Sequence, residues 1–95
     1  MNKFVDAQKR AKEYPETFHV PSGKELDSIT QGDIVKVCWN DKERFWVIVE
    51  EVNGDLVSGV VDNHLIEAPY NAGDEIEFCT KNIYSIFPSV RNNHE

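Results

Sequence analysis

Three observations predict a mainly β fold with one N-terminal helix. From Gly32 onward, apolar and polar residues alternate with a period of two over several short runs. Turn signals, Asn53-Gly54 among them, separate those runs, and no helical pattern lies between them. The chain has 95 residues, which is room for one domain with a single shallow core. Five short strands joined by tight hairpins make a strongly bent antiparallel sheet. A small SH3-like five-stranded barrel is its natural closure, because closing the sheet leaves fewer bare edges. The expected plan is a helix over 1–14, a connector over 15–31, the barrel over 32–87 and a flexible tail over 88–95.

Taken in order, Phe4, Ala7, Ala11 and Tyr14 recur every three or four residues and form one apolar stripe. Pro15 ends the helix by pushing the preceding residue out of helical geometry. Two turns are marginal alone, so this helix must dock. The connector carries Phe18, Val20, Leu26 and Ile29 as anchors, with a helical turn expected at Gly23–Ser28. The first strand, Ile34 to Trp39, sets Val35, Val37 and Trp39 on one face. A polar loop at Asn40–Glu43 leads to a second strand, Arg44 to Val52, whose Phe45, Val47 and Val49 share a face. Asn53-Gly54 predicts a type I′ turn, which needs positive φ at both central positions. In the third strand, Leu56 to Val61, Gly59 marks a bulge or a close backbone approach. Two further strands are expected at Glu75–Thr80 and Ile83–Phe87. Gly32-Asp33 and Gly73-Asp74 each turn the chain into a strand that ends in Cys, with a carboxylate placed to accept from turn amides.

The order of these segments resembles a family. The helix with Ala7 and Ala11 is followed by Gly32-Asp33-x-Val35-Lys36-Val37 and Glu43-Arg44-Phe45-Trp46-Val47-x-Val49. Then come Gly59-Val60-Val61-Asp62-Asn63, Gly73-Asp74-x-Ile76-x-Phe78 and Asn82-Ile83. Over roughly residues 4–87 this is similar to the YegJ-like bacterial domain of unknown function. That resemblance implies a fold and a bacterial setting, and it carries no catalytic residue to transfer.

Charge argues against several partners. Ten basic residues against seventeen acidic ones give a net charge of −7. Residues 1–13 carry four bases and two acids, and the other 82 carry six bases and fifteen acids. A body this acidic repels nucleic acid and anionic membranes. No run of 18 apolar residues occurs. Met1 to Asp6 lacks the apolar core of a signal peptide, which points to the cytoplasm, where Cys38 and Cys79 stay reduced.

Chemistry-bearing groupings are sparse. His19, His64 and His94 share no metal-ligand spacing, Cys-x-x-Cys is absent, and the glycines are dispersed, so no metal or cofactor is expected. A thiol enzyme would pair Cys38 or Cys79 with His64, although cysteines near the ends of apolar strands usually pack as small hydrophobes. The chain is therefore expected to be no enzyme. It reads as a module that binds a protein partner through an acidic, aromatic-bearing face. Strand parity sends Trp46 outward with Ile34, Lys36 and Ile48, and the loop after the third strand adds Asp62, Asn63, His64 and Tyr70. Two plainer readings compete: the N-terminal helix covers Trp46 through Phe4 and Tyr14, and Asp62 and Asn63 cap local amides. An alternative function is an inhibitor or immunity-type protein that occludes a basic active site with Glu50, Glu51, Asp55, Asp62, Asp74, Glu75 and Glu77.

Overall fold

A computed structural model of the chain describes residues 3–16 and 19–87. The elements are α1 (Ala7–Glu13), α2 (Gly23–Asp27), β1 (Ile34–Trp39), β2 (Glu43–Asn53), β3 (Leu56–Val61), β4 (Glu75–Cys79), a 3-10 turn at Thr80–Asn82 and β5 (Ser85–Phe87). The strands form one sheet in the order β4-β3-β2-β1-β5, with every neighbouring pair antiparallel. No ladder among the described residues joins β4 to β5. The structure thus supplies the five-stranded antiparallel sheet without the ladder that would close it. Phe18 and the tail over 88–95 lie outside the described residues.

Alternation builds the core. Val35 and Val37 of β1, Phe45, Val47 and Val49 of β2, Val57 and Val61 of β3, and Ile76 and Phe78 of β4 all point inward and are buried. Leu26, Ile29, Ala68 and Ile83 complete that cluster from outside the strands. A second, smaller cluster joins Ala7 of α1 to Cys38 and Tyr84 on the opposite side of β1, with Val5 and Val20 against it.

One irregularity shapes the sheet. The β2–β3 register runs Val49↔Gly59 and then Glu51↔Ser58, so Glu50 is an extra residue. Such a bulge bends its strand and increases local twist. It also interrupts the period of two: Glu50 and Glu51 are consecutive, yet both are exposed, and Val52 returns to the core side. Across from it, a Cβ on Gly59 would lie 2.5 Å from the Ile48 carbonyl oxygen and 2.7 Å from Val47 Cγ1. The expected close approach at Gly59 is present, whereas the bulge lies on the partner strand.

The two Gly-Asp turns are one device used twice. In each, the Asp amide donates three residues back, from Asp33 to the Thr30 carbonyl (3.1 Å) and from Asp74 to that of Asn71 (2.9 Å). The Asp carboxylate accepts in return from the amides of Thr30 (3.1 Å) and Asn71 (2.8 Å). Gly32 and Gly73 take φ of +95° and +93°, which a Cβ would strain. Each glycine amide then donates to a core strand, Gly32 to the Val49 carbonyl and Gly73 to that of Val61, both at 2.8 Å.

Three expectations need correction. The type I′ geometry sits at Asn40-Asp41, whose φ angles are +53° and +59°, and not at Asn53-Gly54. Asn53 pairs with Leu56, so the second hairpin loop is Gly54-Asp55, with positive φ at Gly54 alone. The N-terminal helix is shorter than 1–14. Residues 3–5 run extended against the end of β1, where the Val5 amide donates to the Cys38 carbonyl (2.9 Å) and the Asn40 amide to that of Lys3 (2.7 Å). Asn82, buried, fastens the same segment by donating to the carbonyls of Phe4 (3.3 Å) and Val5 (3.0 Å). Phe4 therefore enters the core, and Asp6 becomes the helix cap by accepting from the Lys9 amide. Finally, β4 stops at Cys79 and β5 starts at Ser85: the 3-10 turn takes Thr80–Asn82, and Ile83 and Tyr84 lead from it into β5.

Gly59→Ala should destabilise the fold by about 1–3 kcal/mol in urea titration, since its methyl group overpacks against backbone. Gly23→Ala, whose Cβ meets open space, should stay within about 0.5 kcal/mol of the parent. Equal effects from the two changes would contradict the close approach at Gly59.

Candidate functional site

The outer face of the sheet is built by the same alternation that fills the core. Successive registers, Phe87↔Ile34, Ile34↔Ile48, Ile48↔Val60 and Val60↔Glu75, set one row of side chains across all five strands. The next row joins Ser85, Lys36 and Trp46. On the other side, Glu51, Ser58 and Glu77 form a third. Ile34, Trp46, Ile48 and Val60 are half-buried, Phe87 is 52% exposed, and none of the five belongs to either buried cluster. An apolar strip of this kind, left on the wet side of a sheet, is the feature that most often marks a contact surface.

Trp46 is the centre of the strip. Its carbonyl accepts from the Asp62 amide (2.9 Å), and its own amide donates to Asn63 Oδ1 (2.6 Å). Asn63 thus caps local backbone, and this side-chain bond carries the β2–β3 pairing one step past Val61. The Lys36 ammonium lies 4.8 Å from the centre of the Trp46 ring, and Phe87 meets the same ring edge-on at 5.8 Å. Ile34, Trp46, Asp62 and Phe87 line a shallow cleft of about 210 Å³.

Four glutamates flank the strip. Glu50, Glu51, Glu75 and Glu77, with Ser58 and Ile76, line an open hollow of about 670 Å³. The ion pairs among the described residues, Arg10–Asp41 and Lys81–Asp6, involve none of them. The bulge is the reason two of the four come from adjacent positions on β2. The other acids named in the occlusion reading sit elsewhere. Asp55 lines a different hollow with Cys79 and Lys81, Asp62 is at the Trp46 cleft, and Asp74 is engaged in its own turn.

The structure brings Trp46, Asp62 and Asn63 together and leaves two expected site residues apart. Tyr70 stacks on Phe4 with ring centres 6.1 Å apart, tilts against Phe45 and packs on the main core, so it belongs to the inner face. His64 is exposed in the 62–72 loop. Nor does the helix cover Trp46 through Phe4 and Tyr14. Phe4 packs with Phe45, Phe78 and Tyr70, Tyr14 is 57% exposed, and α1 docks on Cys38 and Tyr84 instead. Cys38 is buried in that docking cluster, and Cys79 is half-buried beside the 3-10 turn. Among the described residues no three His, Cys, Asp or Glu side chains gather to hold a metal ion, and no helix is long and apolar enough to cross a membrane.

Sequence reasoning missed the residue that fixes the loop. The Glu43 carboxylate, at the start of β2, accepts from three consecutive amides, those of Ile66 (2.9 Å), Glu67 (2.7 Å) and Ala68 (2.8 Å). Partners 23 to 25 positions away leave no local signal to read. Bonding to the charged carboxylate lowers the Glu43 pKa, chiefly through the amides of Ala68 and Ile66. The loop thereby presents Ile66, 89% exposed, at its tip.

Set against protein-family models, curated proteins and solved structures, the chain matches none of them.

Because the folded-state pKa of Glu43 is depressed, its hold on the loop is complete above the ordinary glutamate value of 4.5 and is lost as pH falls through the lowered value. In an acid titration by NMR, the Ile66, Glu67 and Ala68 amide signals should move with a midpoint below 4.5. Glu43→Gln should speed hydrogen exchange at those amides and leave the Val35 and Val47 amides unchanged. A midpoint at or above the ordinary value would contradict the carboxylate clamp.

Proposed function

We propose that this chain is a non-enzymatic module that binds a protein partner through the outer face of its sheet, centred on Trp46. The observation that carries this reading is the apolar row Phe87–Ile34–Ile48–Val60 beside Trp46, outside both cores and bordered by four glutamates. A tryptophan on such a face offers large contact area at low entropy cost, and a charged rim selects and steers the partner. The glutamates make the rim negative on the bulge side, and Arg44 and Lys36 lie on the Trp46 side. The chain carries −7, so the complementary partner presents basic side chains to the glutamates, while nucleic acid and anionic lipid surfaces are disfavoured.

Finer statements belong to the same proposal. The sheet is taken as an SH3-like barrel on the grounds that β2 is long, bent at its bulge and shared between β1 and β3. YegJ-like membership rests on the quoted sequence segments alone. Cytoplasmic residence accords with two unpaired cysteines.

A second reading is favoured by one observation. Glu50, Glu51, Glu75 and Glu77 converge on a single hollow, as an inhibitor or immunity-type protein that occludes a basic active site would require. In both readings the same face makes the contact, and they differ in what the partner loses on binding.

A protein retained from cell lysate on the immobilised chain should elute as salt rises and be retained less by Trp46→Ala. The change removes an anchor of a type that commonly costs 2 kcal/mol or more at an interface, roughly a 30-fold loss of affinity. Retention indifferent to both salt and Trp46→Ala would discard this face.

A further inference from the structure

Resting on that reading of the outer face, the geometry points to the occupant of one position on it. The cleft between Trp46, Phe87, Ile34 and Asp62 takes an arginine side chain of the partner, which competes with Lys36 of this chain for the Trp46 ring. The Trp46 ring already receives a cation: the Lys36 ammonium is 4.8 Å from its centre, within the range at which an indole face attracts positive charge. That ammonium is held weakly. No ion pair among the described residues engages Lys36, and at a half-exposed ring a cation contact is easily exchanged. The flexible four-carbon stem of lysine lets the ammonium swing away without disturbing β1.

The cleft also contains what a guanidinium adds over an ammonium. Trp46 and Phe87 meet edge-on and form aromatic walls, and Asp62 supplies an exposed carboxylate. A planar guanidinium can lie against an aromatic face and donate to a carboxylate at once, whereas an ammonium acts as a compact, strongly hydrated point charge. Charge complementarity names the sign of the visitor: Asp62 lines the cleft itself, Glu75 ends the adjoining row, and Glu51 and Glu77 lie in the row beyond. Arg44, in the row on the other side, lies over the Tyr84 ring. Lys36 is the base that reaches the Trp46 ring, so a partner's guanidinium competes with one cation at that ring and also reaches the carboxylate.

The test uses the full chain labelled with ¹⁵N and a capped Gly-Arg-Gly-Arg-Gly peptide, with the citrulline version as an uncharged control. The chain has two tryptophans, and Trp46→Phe assigns their indole signals. The arginine peptide should move the Trp46 indole signal and leave that of Trp39 in place, and Asp62→Asn should weaken the effect. Lys36→Gln should tighten binding by about two- to five-fold, the value of an exposed cation–ring contact. Lys42→Gln, which removes an equal charge from the β1–β2 loop, should tighten it less. Equal binding of the citrulline peptide, or equal tightening by the two lysine changes, overturns the assignment. Salt-dependent binding that is weakened by Glu51→Gln while the Trp46 signal stays still also overturns it, yet leaves the outer face as the contact surface. Absence of binding removes the arginine assignment, and the outer face then stands or falls on the salt and Trp46→Ala retention test.

Discussion

The structure depends on how β2 pairs with its two neighbours. This 11-residue strand gives three successive inward side chains, Phe45, Val47 and Val49, to the centre of the core. It reaches both β1 and β3, and one extra residue, Glu50, bends it where it passes opposite Gly59. Gly59 is needed because the two backbones come too close there for a side chain on that residue. Both Gly-Asp turns deliver their glycine amides to this region, one to Val49 and one to Val61, the partner of Val47. The bend, the close approach and the two turns therefore form one arrangement.

The outer face follows from that arrangement. The residues that alternate with the core of β2 are Trp46 and Ile48, and the bulge then places Glu50 and Glu51 together on the wet side. Ile34, Val60 and Phe87 join the row by register alone. Elsewhere the molecule covers comparable side chains. Ala7 shields Cys38 and Tyr84, and Phe4 and Tyr70 close the open end of the main core over Phe45. That contrast singles out the Trp46 strip: the N-terminal segment had the apolar residues to cover it and spends them at other places.

Much of the sheet was legible because period-two patterning is local. The limits of β1 and β3, the inward set of β2 and the turn at Gly23 follow from neighbours in sequence, as does the carboxylate role of Asp33 and Asp74. What escaped was set by distant contacts. The spacing of Phe4, Ala7, Ala11 and Tyr14 matches a helix, but ladder bonds to β1 and the side chain of Asn82 hold residues 3–5 extended. Asn53-Gly54 has the composition of a type I′ turn. The bulge shifts the register so that Asn53 pairs with Leu56, and Asn40-Asp41 takes that geometry instead. Of the expected site, Trp46, Asp62 and Asn63 lie together, as strand parity and adjacency in sequence imply. Tyr70 was not, because its stacking partner Phe4 lies at the far end of the chain. Glu43 looked like a loop residue, since its three amide donors become visible only once the loop has folded back.

The most direct test of this account is the pattern of cross-strand proton contacts between β2 and β3 in solution. The account predicts Val49 opposite Gly59 and Glu51 opposite Ser58, with Glu50 lacking a partner on β3. A continuous register, with Glu50 opposite Ser58 and Glu51 turned toward Val57, would contradict it. The pair of outward glutamates and the face they border would then no longer follow from the fold.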